Sequence, residues 1–214
     1  MRSLISVLAV LVALAGPAAA AVDKAPALAT RAGAAPDPKQ LQGGAEAQSL
    51  FDQASAFHHG DGVTADLARA IGLYRKAAAF GHVTAMSSLA QIYGEGGVVP
   101  IDYAAALAQL KAASDLGDAY ATFNLAVVYY QGEGVSLDQA EAARLYALAL
   151  EGGVEEAAFR LGRLHEEGEG LPYSLEKAAK YYRVGAAAES HAVRERAAKA
   201  LARVTKKLAR RGGD

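Results

Sequence analysis

Two sets of side chains in this sequence have the chemistry for catalysis or metal binding: the adjacent pair His58 and His59, and the acids Glu155, Glu156, Glu166, Glu167 and Glu169. Imidazoles shuttle protons and ligate metals, and paired carboxylates hydrolyse glycosides. The spacing argues against both uses. Successive helical residues point about 100° apart, whereas a shared ligand site takes residues at i and i+4. Nothing sets two of the acids in the unlike environments that separate an acid from a base, and they read as a hydrated surface. The Gly-x-Gly pairs Gly60/Gly62, Gly132/Gly134 and Gly168/Gly170 look like phosphate cradles, but no Gly-Lys-Ser/Thr follows them. The chain has no cysteine, which excludes disulfides, thiol catalysis, thiolate metal sites and a lipid anchor on cysteine. No nucleophile, base and orienting group emerge together. The expectation is a binding protein, not an enzyme, with no cofactor and no metal.

What positions these residues is a repeat. Phe57, Tyr93, Tyr129 and His165 recur at an interval of 36 residues, each followed three residues later by a glycine: Gly60, Gly96, Gly132 and Gly168. Ala54, Ala90, Ala126 and Gly162 form one small column, and Ala70, Ala106, Ala142 and Ala178 another. Tyr74, Leu110, Tyr146 and Tyr182 form a large one. Within each unit, apolar residues recur at three- and four-residue steps on both sides of the glycine turn, which predicts two helices, A and B. In the third unit Ala121, Leu125, Ala126 and Tyr129 share a face of A, and Ala142, Leu145, Tyr146 and Ala149 share a face of B. Asp66, Asp102, Asp138 and Ser174 fall where helix B needs an N-cap. Small columns let helices approach closely while the large column fills the remaining volume. One unit is too small to bury this face alone, so the sequence predicts an all-α, right-handed α/α superhelix of four stacked helix pairs. His165, in the tyrosine column, reads as a core replacement.

These residues resemble the Sel-one-like repeat (SLR) family, relatives of the tetratricopeptide repeats. The third unit carries the pattern most fully, in Ala121, Leu125, Tyr129, Gly132, Gly134, Val135, Asp138, Ala142, Tyr146, Ala149 and Gly153. Val98 replaces the second turn glycine of unit two, and His165, Leu171, Ser174 and Glu189 depart from the family's Tyr, Val, Asp and Gly in unit four. The resemblance implies a scaffold or adaptor for protein complexes, with exported bacterial members acting in envelope signalling or host interaction. It also implies that the A helices line a concave groove. The A-helix residues beside the core column are Phe51, His58, Gln91, Tyr120, Phe123, Tyr130, Phe159 and Arg163. Aromatic and arginine side chains there are candidate anchors for a protein or peptide partner. The competing reading packs Phe51, Phe123 and Phe159 against neighbouring units instead.

The ends complete the plan. Arg2, an apolar run over residues 4–15 and Ala18-Ala19-Ala20 predict a cleaved signal peptide over residues 1–21, hence a periplasmic or secreted protein with no transmembrane span after cleavage. Residues 22–44, Ala-rich and interrupted by Pro26, Pro36 and Pro38, read as a flexible linker, and residues 45–189 as the four repeats. Residues 190–214 read as a basic capping helix with an apolar stripe of Val193, Ala197, Leu201, Val204 and Leu208. From residue 192 onward eight cations face only Glu195 and Asp214, and Arg203, Lys206, Lys207, Arg210 and Arg211 form a candidate basic patch for an acidic protein, an anionic membrane surface or an acidic wall polymer. The whole-chain formal charge of −1 excludes a general nucleic-acid binder. Peptidoglycan fragments are the alternative ligand to a protein, and the oligomeric state is open.

Overall fold

The computed structural model describes residues 38–211. The expected signal peptide and the linker as far as residue 37 lie outside the described residues. All regular structure among the described residues is α-helical: α1 (Pro38–His59), α2 (Leu67–Ala79), α3 (Val83–Glu95), α4 (Tyr103–Asp115), α5 (Ala119–Gln131), α6 (Gln139–Glu151), α7 (Glu155–Glu167), α8 (Leu175–Ala186) and α9 (His191–Arg211). The linker assignment for residues 38–44 is corrected, because α1 already begins at Pro38. Proline is tolerated in the first turn of a helix, where its missing N–H would have no intrahelical partner anyway.

Every turn from an A helix to its B helix is closed in one way. The N–H of Asp66 donates to the Phe57 carbonyl at 2.8 Å, Asp102 to Tyr93 at 2.8 Å, Asp138 to Tyr129 at 2.9 Å and Ser174 to His165 at 2.9 Å. The recurring aromatic residue therefore holds the turn through its carbonyl. The same four residues cap helix B. Their side-chain oxygens accept from the N–H of Arg69, Ala105 and Glu141 at 2.9 Å each, and of Lys177 at 3.2 Å, each cap contributing about 1 kcal/mol. Gly132 ends α5 in the left-handed region (φ 71°), and a Cβ there would lie 3.0 Å from the Leu137 Cβ. In unit two, where Val98 stands in place of the second turn glycine, Gly97 supplies the positive φ (102°).

The A helices start less uniformly. Asp118 accepts from the Ala121 N–H at 2.7 Å. His82 does the same for Ala85 through Nδ1 at 3.2 Å, and Val154 offers no side-chain cap. Glu155 and Glu156, in the first turn of α7, complement its dipole instead.

The described residues divide within α4 into two compact units, one ending at Ala106 and the other beginning at Leu107. In the first, Ala54, Ala70, Ile71, Tyr74, Ala77, Ala85, Leu89 and Ile92 form a buried cluster, edged by Leu50, Phe51 and Phe57. In the second, Leu175, Ala178, Ala179, Tyr182, Ala200 and Val204 form one, edged by Phe159, Leu201 and Leu208. The capping helix α9 thus packs by the apolar stripe read from the sequence. Gly162 shows why the small column is small: a Cβ there would stand 2.5 Å from the Tyr182 ring.

Candidate binding surface

Phe51, Phe123 and Phe159 each pack on the large residue of their own repeat. Ring centroids are 5.7 Å apart for Phe51 and Tyr74, 5.3 Å for Phe123 and Tyr146, and 5.8 Å for Phe159 and Tyr182, all tilted. Phe123 is 0% exposed, so its assignment as a partner anchor is corrected: it is a core residue. The physical reason is that a helix A in a stacked array has a broad apolar face, and this register points at helix B. Phe51 and Phe159 are half-buried. Phe51 also stacks on His82 at 4.6 Å, and Arg196 lies 5.3 Å above the Phe159 ring.

The remaining candidates fall into the two units. In the first, His58 Nδ1 lies 3.4 Å from the Tyr74 hydroxyl, its pKa lowered by burial and by His59 against an opposing Glu95. Gln91 donates to Glu95 at 3.0 Å. In the second unit, Tyr120 is 56% exposed. The Tyr130 hydroxyl donates to Glu169 at 2.8 Å, and Arg163 pairs with Glu167 at 3.0 Å. His165 is buried, with Nδ1 3.0 Å from the Pro172 carbonyl and its ring stacked on Tyr181.

The basic patch also needs correction. Arg203 and Lys207 are not free: both bind Glu166, at 2.6 and 2.8 Å, and the Tyr182 hydroxyl adds a third bond at 2.8 Å. Arg196 forks onto Glu156 at 3.1 and 2.5 Å. Glu156 and Glu166 are 3% and 8% exposed, so these two are not part of a hydrated surface either. They face α9 from α7. Burial disfavours the ionised form of Glu166, but the bonds from Arg203, Lys207 and Tyr182 outweigh it and hold its carboxyl at about 2. Lys206 and Arg210 remain exposed, and the side chain of Arg211 lies outside the described residues. Sequence reading missed these clamps. Their signal was an acid in columns that hold Gln48, Thr84 and Tyr120, or His58, Gly94 and Tyr130, in the other repeats.

One small cavity adjoins the candidates of the second unit. Tyr130, Tyr146, Arg160, Arg163 and Leu164 line it, with about 10 Å³ of room for the centre of a water-sized atom. The Tyr146 hydroxyl and Arg160 Nε are buried and meet no hydrogen-bond partner. Burial pushes the Tyr146 phenol up, so it stays protonated at neutral pH. Among the described residues no group of three or more His, Asp or Glu side chains is placed to hold a metal ion, and no helix is long and apolar enough to cross a membrane.

A family profile described as Sel1 repeat matches residues 47–82, 83–118, 119–154 and 155–190, each an A helix, its turn and a B helix. The chain is similar to the crystal structure of a protective antigen present in uropathogenic Escherichia coli strains and displaying an SLR fold, at 32% identity and a TM-score of 0.63, over 68% of this chain and 31% of that one. It is similar also to a Sel1 repeat protein from Oxalobacter formigenes, at 28% identity and a TM-score of 0.60, over 64% of this chain and 56% of that one. It therefore spans only part of the length of either relative. Comparison with curated proteins gives no significant match. Sel1 repeat proteins generally mediate protein–protein interaction. With four consecutive matched repeats whose turns and caps are built alike, the chain belongs to the Sel1 repeat family.

Proposed function

We propose that this chain is a non-catalytic scaffold that holds a protein or peptide partner on the side chains of its A helices and so regulates or assembles a complex of the bacterial envelope. The observation that carries the reading is Tyr120, a large aromatic on an A helix that is left 56% exposed. Such a ring contributes most when a partner covers it. Tyr130 and Arg163 support the same surface, because their polar ends engage Glu169 and Glu167 rather than the core. Those contacts exchange for a partner's at little cost.

Site-specific photo-crosslinking in cells tests this. A crosslinker at position 120 or 163 should yield a discrete adduct, whereas one at Arg144, on the exposed side of α6, should not. Equal adducts at all three positions, or none at 120 and 163, would overturn the reading.

The compartment is part of the proposal and rests on Arg2, the apolar run over residues 4–15 and Ala18-Ala19-Ala20. Intact-mass measurement on protein recovered from the periplasm or medium should give a chain starting at Ala21 or Val22. Recovery of the uncleaved chain from the cytoplasm alone would remove export from the reading.

A further inference from the structure

His82, Asp118, Val154 and Ser190 hold one column of the repeat. Asp118 caps α5 with a carboxylate, whereas His82 caps α3 with an imidazole. A backbone N–H only donates, so the bond from Ala85 at 3.2 Å makes Nδ1 of His82 an acceptor and puts the ring proton on Nε2. Nε2 then donates to the Gln48 Oε1 at 3.1 Å. The ring is also stacked on Phe51, with centroids 4.6 Å and planes 12° apart. Gln48 and Phe51 belong to α1. One neutral tautomer therefore both starts α3 and ties it to the A helix of the repeat before.

A protonated ring cannot keep all three contacts. The second proton goes on Nδ1, which then has no lone pair for the Ala85 N–H and meets it donor against donor. Flipping the ring in its own plane would save the stack on Phe51 but carry Nε2 away from Gln48, and tilting it would break the stack. The cation would also stand at the positive end of the helix dipole, and α3 has no acid in its first turn to offset it. Asp52 on α1 favours the charged ring, while Lys76 in the last turn of α2 is no partner for a cation. Burial of the ring outweighs Asp52 and lowers the pKa from the ordinary 6.5.

We propose that His82 is a proton-operated pin: neutral, it caps α3 and fastens it to α1; protonated, it frees the first turn of α3 and loosens the contact between these two A helices. A contribution that only the neutral ring makes is complete above the unfolded pKa of 6.5 and is lost as pH falls through the lowered folded value.

The test uses the ¹⁵N-labelled chain without a partner, so its outcome is independent of the scaffold reading. At about pH 7.5, well above the imidazole range, long-range ¹H–¹⁵N correlations should show the His82 ring protonated on Nε2 and bare on Nδ1. Hydrogen exchange of the Ala85 amide, corrected for the intrinsic rate and referred to the Ala121 amide under Asp118, should lose about threefold to tenfold in protection between about pH 7.5 and about pH 5, as one cap is lost. His82→Asp substitutes the cap used at position 118, and an aspartate ordinarily ionises well below this range. It should hold the Ala85 protection level while His58 and His59 remain to titrate. His82→Asn, a neutral cap with no charge beside Asp52, should do the same.

A His82 ring protonated on Nδ1 at neutral pH overturns the proposal, as does Ala85 protection that fails to follow the titration of His82. So does a loss of protection that persists in both His82→Asp and His82→Asn, because another group would then be its source.

Discussion

At the scale of single residues, Tyr146 and Tyr182 fill the same space and differ only in what their hydroxyls meet. The Tyr182 hydroxyl donates to a buried, ionised Glu166, a bond to a charged acceptor worth about 1.5–3 kcal/mol. Tyr182→Phe should lower the unfolding free energy by that amount in urea titrations. Tyr146→Phe removes a hydroxyl that bonds to nothing in the protein, so it should change stability by less than about 0.5 kcal/mol. Phe123 differs from both because its whole ring is core. Phe123→Ala should cost about 3–5 kcal/mol, and Phe123→Glu should lower the helical circular dichroism rather than only a binding function. The sequence put Phe51, Phe123 and Phe159 in one register but left open which way that register points. A helix in a stacked array touches its own partner and its neighbours, so its apolar stripe is wide and its edge cannot be drawn from periodicity alone.

At the scale of elements, what was local was legible and what was paired across helices was not. The caps Asp66, Asp102, Asp138 and Ser174 could be read because a cap acts within four residues of itself. The ion pairs that dock α9 join residues 37 to 41 positions apart, and no spacing rule covers them. The pairs on Glu166 make α9 an acid-sensitive element. Glu166 has a folded pKa of about 2 against an ordinary 4.5. A depressed carboxylate contributes stability that is complete above its unfolded pKa and is lost as pH falls through the folded one. Hydrogen exchange of the α9 amides should therefore accelerate as pH is lowered from 4.5 towards 2, after correction for the intrinsic rate. Glu166→Gln should reproduce the direction of that loss at neutral pH, because Arg203 and Lys207 lose their counter-ion, with the cost reduced by the solvent that reaches both cations. A variant in which α9 stays as protected as in the parent would show that its apolar stripe docks it unaided.

At the scale of the molecule, the chain is an array of like modules divided into two units, each with a buried cluster of its own. Stability in such arrays is approximately a sum of module terms and nearest-neighbour terms, so a lesion should be felt most where it is made. Tyr74 is 1% exposed in the core of the first unit, beside Ala54, Ala70 and Leu89. Tyr182 occupies the same column, fully buried, in the core of the second. Replacing either ring by alanine removes about 3–5 kcal/mol of packing. Native-state hydrogen exchange should find Tyr74→Ala lowering protection in α1, α2 and α3 well before α7, α8 and α9, and Tyr182→Ala doing the reverse. A uniform fall in protection across all the helices in either variant would mean that the repeats open as one cooperative body, and that the two cores are not energetically distinct.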